Sequence, residues 1–240
     1  MYFGKCVYSF LMIFILAAFS HDGFSQYLPG KASTLSDTVI ANAFKQGKVN
    51  NCVSIALIKA AIGSFGLEKQ FTSVIKTDSN FIFRLRNGED IRISGQEITY
   101  SILNNAFIQK RMDSISVRIK QLADTCFALM CKKQQQLSNI SFEAAVNKLN
   151  TGYKTADVAL LLGLKFKIIA ATKKNLSRNQ HLIICNFYHT AYASGGIYDE
   201  ALSRKGIEKI KEFKWYHPAE DNNYIPYLCD IKEGYKIVED

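Results

Sequence analysis

The stretch from Cys52 to Ile62, CVSIALIKAAI, constrains this chain more than any other. Read as a helix it is apolar on almost every face, with Ser54 and Lys59 as the exceptions. A helix of that kind belongs in the middle of a domain rather than on its surface. Asn50 and Asn51 stand where N-caps belong, and Gly63 or Gly66 can end it. The remaining elements must therefore supply a core around one central helix.

Those elements can be read from spacing. Residues 26 to 40 form a loose lead-in, and Asn42 to Val49 is a polar approach with Gly47 as a turn point. Phe81 to Arg86 alternates, Asn87-Gly88 is a strong hairpin turn, and Asp90 to Ser94 alternates back. A helix follows from Glu97. Met112, Ile115, Ile119, Leu122, Cys126 and Met130 then recur at three and four, which predicts a long amphipathic helix. Ser141 caps a shorter helix to Leu149, and Thr155 caps another to Leu162, stopped by Gly163. Strands then take over: Phe166 to Ala170, a longer one from His181 to Ala193, a turn at Ser194-Gly195-Gly196, and a return beginning Ile197-Tyr198-Asp199. A basic helix from about Ala201 to Phe213 and short strands near Leu228 to Ile231 and Tyr235 to Val238 complete the expectation. Helices first and antiparallel strands later is an α+β order.

The N-terminus reads as an export signal. Lys5 supplies a basic start, Val7 to Phe19 is apolar, and small residues mark a cut after Ser20 or Ser25. The expected organisation is a signal peptide over 1–25 and a single catalytic domain over 26–240, secreted or periplasmic. The apolar run is shorter than the roughly 20 residues a membrane anchor needs, so no integral membrane segment is expected after cleavage. The formal net charge is +9, but the basic residues are scattered rather than interleaved with stacking aromatics, so nucleic acid is not an expected partner. Removing the leader leaves Cys52, Cys126, Cys131, Cys185 and Cys229, an odd number that keeps at least one thiol unpaired. Without a Cys-x-x-Cys pair or clustered histidines, neither a metal nor another cofactor is expected.

Cys52 opens the buried helix, where the helix N-terminus carries roughly +0.5 charge. That position favours a thiolate, the attacking species in acyl transfer. A small core cysteine is the plainer account of the same residue. Gln46 stands six residues ahead, where a side-chain amide can donate to a developing oxyanion together with the Cys52 backbone N–H. Gln46-Gly47-Lys48-Val49-Asn50-Asn51-Cys52 resembles the motif of papain-like and calpain-like cysteine peptidases, which place a glutamine at this spacing before the cysteine of their central helix. Asn50-Asn51 and Val53 depart from the Gly-Asp and Trp usual in calpains. The hairpin Phe81 to Ser94 with the following Gly95-Gln96-Glu97-Ile98 is similar to a segment of calpain-like bacterial proteins. The resemblance implies a papain-like cysteine proteinase fold, with an N-terminal helical part, the central helix from Cys52 and a C-terminal antiparallel sheet.

In that fold the base comes from late in the chain. His189 is the leading candidate, and His189-Thr190-Ala191-Tyr192 is similar to the calpain-like His-Ala-Tyr pattern with Thr190 inserted. Folding the strands about Ser194-Gly195-Gly196 would bring Asp199 beside Thr190, where its carboxylate could orient the imidazole. The expected set is Cys52, His189, Asp199 and Gln46. His181, on the same expected strand, and His217 are alternative bases; Asn222 and Asn223 are alternative orienting amides; and Asp199 could instead cap the following helix. The resulting function is a cysteine hydrolase, peptidase or amidase, passing through a thioester on a peptide or protein substrate. The alternatives are a non-catalytic exported papain-fold binding or inhibitory module, and a structural α+β protein.

Overall fold

Ser36 accepts a hydrogen bond from the Val39 N–H and starts helix α1 (Asp37–Ala43) inside the expected lead-in. A short strand, β1 (Phe44–Lys45), comes next, so the first half of the expected polar approach lies in helix and strand. The central helix follows as α2 (Cys52–Phe65). This computed structural model describes residues 35–170, 173–178, 180–185, 189–199, 208–209 and 233–238. The signal peptide, both cut sites, His217, Asn222, Asn223, Cys229 and the strand expected at 228–231 lie outside those residues.

The α2 expectation holds, and of its two expected stops the second is used. Gly66, at φ 75°, closes the helix, and its N–H bonds the Ile62 carbonyl. Every residue from Val53 to Ile62 is buried. Fully burying side chains such as Leu57, Ile58 and Ile62 contributes about 1.5–3 kcal/mol each. That surplus is large enough to carry one charged residue, provided the charge is paired.

After α2 come β2 (Ser73–Lys76), β3 (Asn80–Arg84) and β4 (Asp90–Ser94), an antiparallel sheet in the order β2-β3-β4. The β3–β4 hairpin is the expected one, while β2 had no clear alternation to announce it. Helix α3 (Gly95–Asn104) starts at a capping box in which Ser94 and Glu97 satisfy each other's backbone N–H. Strand β5 (Ile108–Gln109) pairs with β1. The long helix α4 (Ser114–Ser138) begins at Asp113 and buries Ile119, Cys126 and Met130 of the expected stripe, whereas Met112 lies outside it and is exposed. Ser141 caps α5 (Phe142–Asn150) as expected. The helix expected from Thr155 is instead a 3-10 turn (Val158–Leu162) preceded by Asp157.

The remaining elements are β6 (Lys165–Ala170), α6 (Lys173–Leu176), β7 (Leu182–Cys185), β8 (Thr190–Ser194), β9 (Ile197–Tyr198), β10 (Glu208–Lys209) and β11 (Glu233–Val238). They form one six-stranded sheet in the order β10-β9-β8-β7-β11-β6. The antiparallel partners among the described strands and the separate helices make the protein α+β.

Two sequence expectations fail in this sheet. The long strand from His181 to Ala193 is a hairpin, with Leu182 opposite Ala193 and Cys185 opposite Thr190. Its residues gave no alternation because both faces are covered. Leu182, Ile184, Ala191 and Ala193 cluster with Leu176 on one side, while Ile183 and Tyr192 are buried on the other. A doubly buried strand reads as continuous apolar sequence, which hides a reversal. The basic helix fails where it is described, since Glu208–Lys209 is a strand paired with β9.

Helix α2 packs on β7, β8 and β11 and also meets α1, α4 and the 3-10 turn. Sheet on one side and helices on the others account for its apolar circumference.

Candidate active site

Cys52 is the first residue of α2, and Asn51 is its N-cap position. Asn51 does not cap with its side chain. Its Nδ2 donates to the Asn105 carbonyl at 2.6 Å and to Asn150 Oδ1 at 3.1 Å, and Asn150's carbonyl accepts from the Asn50 N–H at 2.8 Å. The loop leading to Cys52 is thus stapled to the ends of α3 and α5. Gly47 is needed in the same loop because a Cβ there would lie 2.3 Å from the Ala106 carbonyl oxygen.

The Cys52 thiol is half-buried, and the backbone N–H groups of Thr190, Val53 and Cys52 itself favour its anion. Burial pushes its pKa up, and the three N–H groups offset only part of that rise. The expected low-pKa thiolate is therefore corrected: desolvation outweighs the helix terminus. Cys52, Cys126 and Cys131 form no disulfide, and burial pushes Cys126 up to about 12.

His189 immediately precedes β8, the strand on which α2 packs and whose first N–H, that of Thr190, favours the Cys52 thiolate. The imidazole Nε2 is shielded from solvent. Burial lowers the His189 pKa, and the Asp199 carboxylate works against that shift. The two shifts favour the neutral thiol at Cys52 and the neutral imidazole at His189.

His181 is brought elsewhere. Its Nδ1 lies 3.0 Å from Tyr192 Oη and 3.2 Å from Asp37 Oδ1, and the Tyr192 hydroxyl donates to Asp37 at 2.8 Å. A Cβ on Gly63 would sit 2.3 Å from His181 Nδ1, so the ring rests against the far end of α2. Cys52 and Gly63 are separated by about 16 Å of helix. His181 belongs to a packing cluster rather than to the thiol.

Asp199 lies opposite Tyr192, not beside Thr190 as expected. Gly195 and Gly196, at φ 59° and 78°, form a two-residue turn, and Ser194 pairs with Ile197. Counting Ser194 into the turn accounts for one residue of the two-residue shift from Thr190 to Tyr192. The Asp199 N–H donates to the Tyr192 carbonyl at 2.9 Å, and its Oδ2 accepts from Lys59 Nζ. The alternative cap role falls on residues outside those described, but this side chain is committed to Lys59.

Gln46 is buried just after β1, and its Nε2 donates to the Val49 carbonyl at 2.5 Å. An amide nitrogen has two hydrogens, so one donor remains after that bond. Sequence reasoning passed over Lys59 as a site residue. The available signal was its charge inside an otherwise apolar helix.

Among the described residues no group of three or more His, Cys, Asp or Glu could hold a metal ion, and no helix is long and apolar enough to cross a membrane. No family model, curated protein or solved structure matches the chain.

Proposed function

We propose that this protein is an exported cysteine hydrolase with a papain-like arrangement, acting on a peptide or amide bond of a peptide or protein substrate. The observation that carries the reading is the packing of α2, which begins at Cys52, on β8, which begins directly after His189, with the Thr190 N–H favouring the Cys52 thiolate.

The shifts at Cys52 and His189 favour general-base attack over a resting ion pair. His189 takes the thiol proton as Sγ bonds to the substrate carbonyl carbon. The developing oxyanion draws on the Cys52 N–H and the remaining Gln46 N–H. Collapse breaks the C–N bond, and His189 returns its proton to the leaving amine. Water, deprotonated by His189, then hydrolyses the thioester and releases the acid and the thiol.

The test is alkylation of native protein with an iodoacetamide probe, with the modified residue identified by mass spectrometry, alongside hydrolysis of a labelled protein substrate. Cys52 is expected to react selectively, and His189→Ala should reduce both labelling and hydrolysis at least tenfold. His181→Ala should leave Cys52 labelling unchanged. Equal labelling of all accessible thiols, insensitive to His189, would defeat the reading. A binding module on the same frame is the second reading, favoured by the raised thiol and by the Gln46 bond to Val49. It predicts probe labelling without hydrolysis.

A further inference from the structure

Helix α5 ends at Asn150, and the 3-10 turn begins at Val158. The chain between them is bonded to both halves of the candidate site. At its start, the Asn150 carbonyl accepts from the Asn50 N–H at 2.8 Å and its Oδ1 accepts from Asn51 Nδ2 at 3.1 Å, directly before Cys52. The Asn150 Nδ2 donates to the Asn104 carbonyl at 2.8 Å, which fixes the orientation of the amide. Farther along, Thr155 Oγ1 lies 3.1 Å from the Oγ1 of Thr190, the first residue of β8 and the chain neighbour of His189. Gly152, at φ 113°, takes a backbone shape between these anchors that favours glycine. Five residues reach at most about 18 Å, so one short strap joins the start of α2 to the start of β8.

Stability alone gives no reason for hydroxyls at both ends of the second anchor. Thr190 is buried, and replacing both partners of a buried hydrogen bond with apolar groups of the same shape is close to neutral. Valine has that shape and suits a strand at least as well. What a hydroxyl pair adds is direction, because a hydrogen bond fixes a geometry that apolar contact leaves loose. We propose that Thr155 is a positioning residue: its bond to Thr190 holds the entrance of β8, and with it His189, in place relative to the loop that delivers Cys52. Asn150 secures the other end of the strap. This rests on the reading of Cys52 and His189 as nucleophile and base. Misplacing reacting groups by about 1 Å can cost about a hundredfold in rate, so a single hydroxyl contact at the base's neighbour is enough to matter.

The experiment compares Thr155→Val, Thr155→Ser and Thr155→Val/Thr190→Val in the full chain. It reads the urea midpoint, the rate of Cys52 alkylation by iodoacetamide, and kcat and KM on labelled casein, with alkylation scored even where casein is not cleaved. Thr155→Val strands the Thr190 hydroxyl and should lower both midpoint and rates. The double variant should recover the midpoint, yet its kcat and alkylation rate should stay about tenfold down with KM unchanged, the mark of an interaction used in the transition state. Thr155→Ser keeps the hydroxyl and should restore the rates. A double variant with wild-type midpoint and wild-type rates would reduce the pair to packing and overturn the proposal. If the double variant does not fold, the two single variants decide: wild-type rates in Thr155→Ser with slow rates in folded Thr155→Val support it, and equal rates in the two sink it. The wild-type chain separates this from the reading beneath it. Labelling insensitive to His189→Ala removes the hydrolase reading itself, whereas labelling that depends on His189 but not on the threonine pair removes only the role of Thr155.

Discussion

At the scale of single residues, two opposing effects meet on Cys52. The helix terminus and three N–H groups favour the anion, while burial disfavours it, and burial wins. The rate of alkylation follows the thiolate fraction, so it should climb with pH up to and beyond the ordinary thiol value of about 8.5. Measured from pH 5 to 10, the profile should show no plateau on the acid side. A flat acid limb would instead reveal a thiolate held by a protonated His189. Cys126 and Cys131, buried in α4 with strongly raised pKa values, should stay unlabelled until the protein unfolds. The residues themselves advertised much of this: a cysteine at a helix start and a glutamine six places ahead are visible by inspection. The sign of the thiol shift was not, because desolvation depends on what covers Cys52.

At the scale of elements, the site depends on how the start of α2 is tied down. Asn51 joins three helices through the Asn105 carbonyl and the Asn150 side chain, and Asn105 in turn donates to Asp124 of α4 at 2.9 Å. Replacing Asn51 with Ala leaves those buried acceptors without their donor. The expected cost is about 1–3 kcal/mol, read as a lower urea midpoint with an unchanged slope. A full-stability Asn51→Ala protein would show that the loop is held by other contacts. From sequence Asn51 looked like an N-cap, which describes its position correctly and its hydrogen bonds wrongly. Local spacing identifies a cap candidate, but acceptors contributed by α3 and α5 are closer competitors for the side chain.

At the scale of the whole molecule, the late strand β11 lies inside the sheet, pairing with β7 on one side and β6 on the other. A chain truncated before Glu233 should lose the link between them and with it part of the surface on which α2 packs. Its expected behaviour is rapid proteolysis and no cooperative urea transition; a transition at the full-length midpoint would mean that β7 and β6 close without it. Sequence by itself determined the central helix, the β3–β4 hairpin, the Ser141 cap and the α+β class, because periodicity, turn dipeptides and caps act over a few residues. Tertiary structure alone decided that His181 to Ala193 folds as a hairpin, that His181 is drawn to Asp37 and Gly63, and that Asp199 reaches Lys59. Those outcomes depend on which faces are covered, on which groups lie against the far end of α2 and on pairing a buried charge. All three are set by groups far away along the chain.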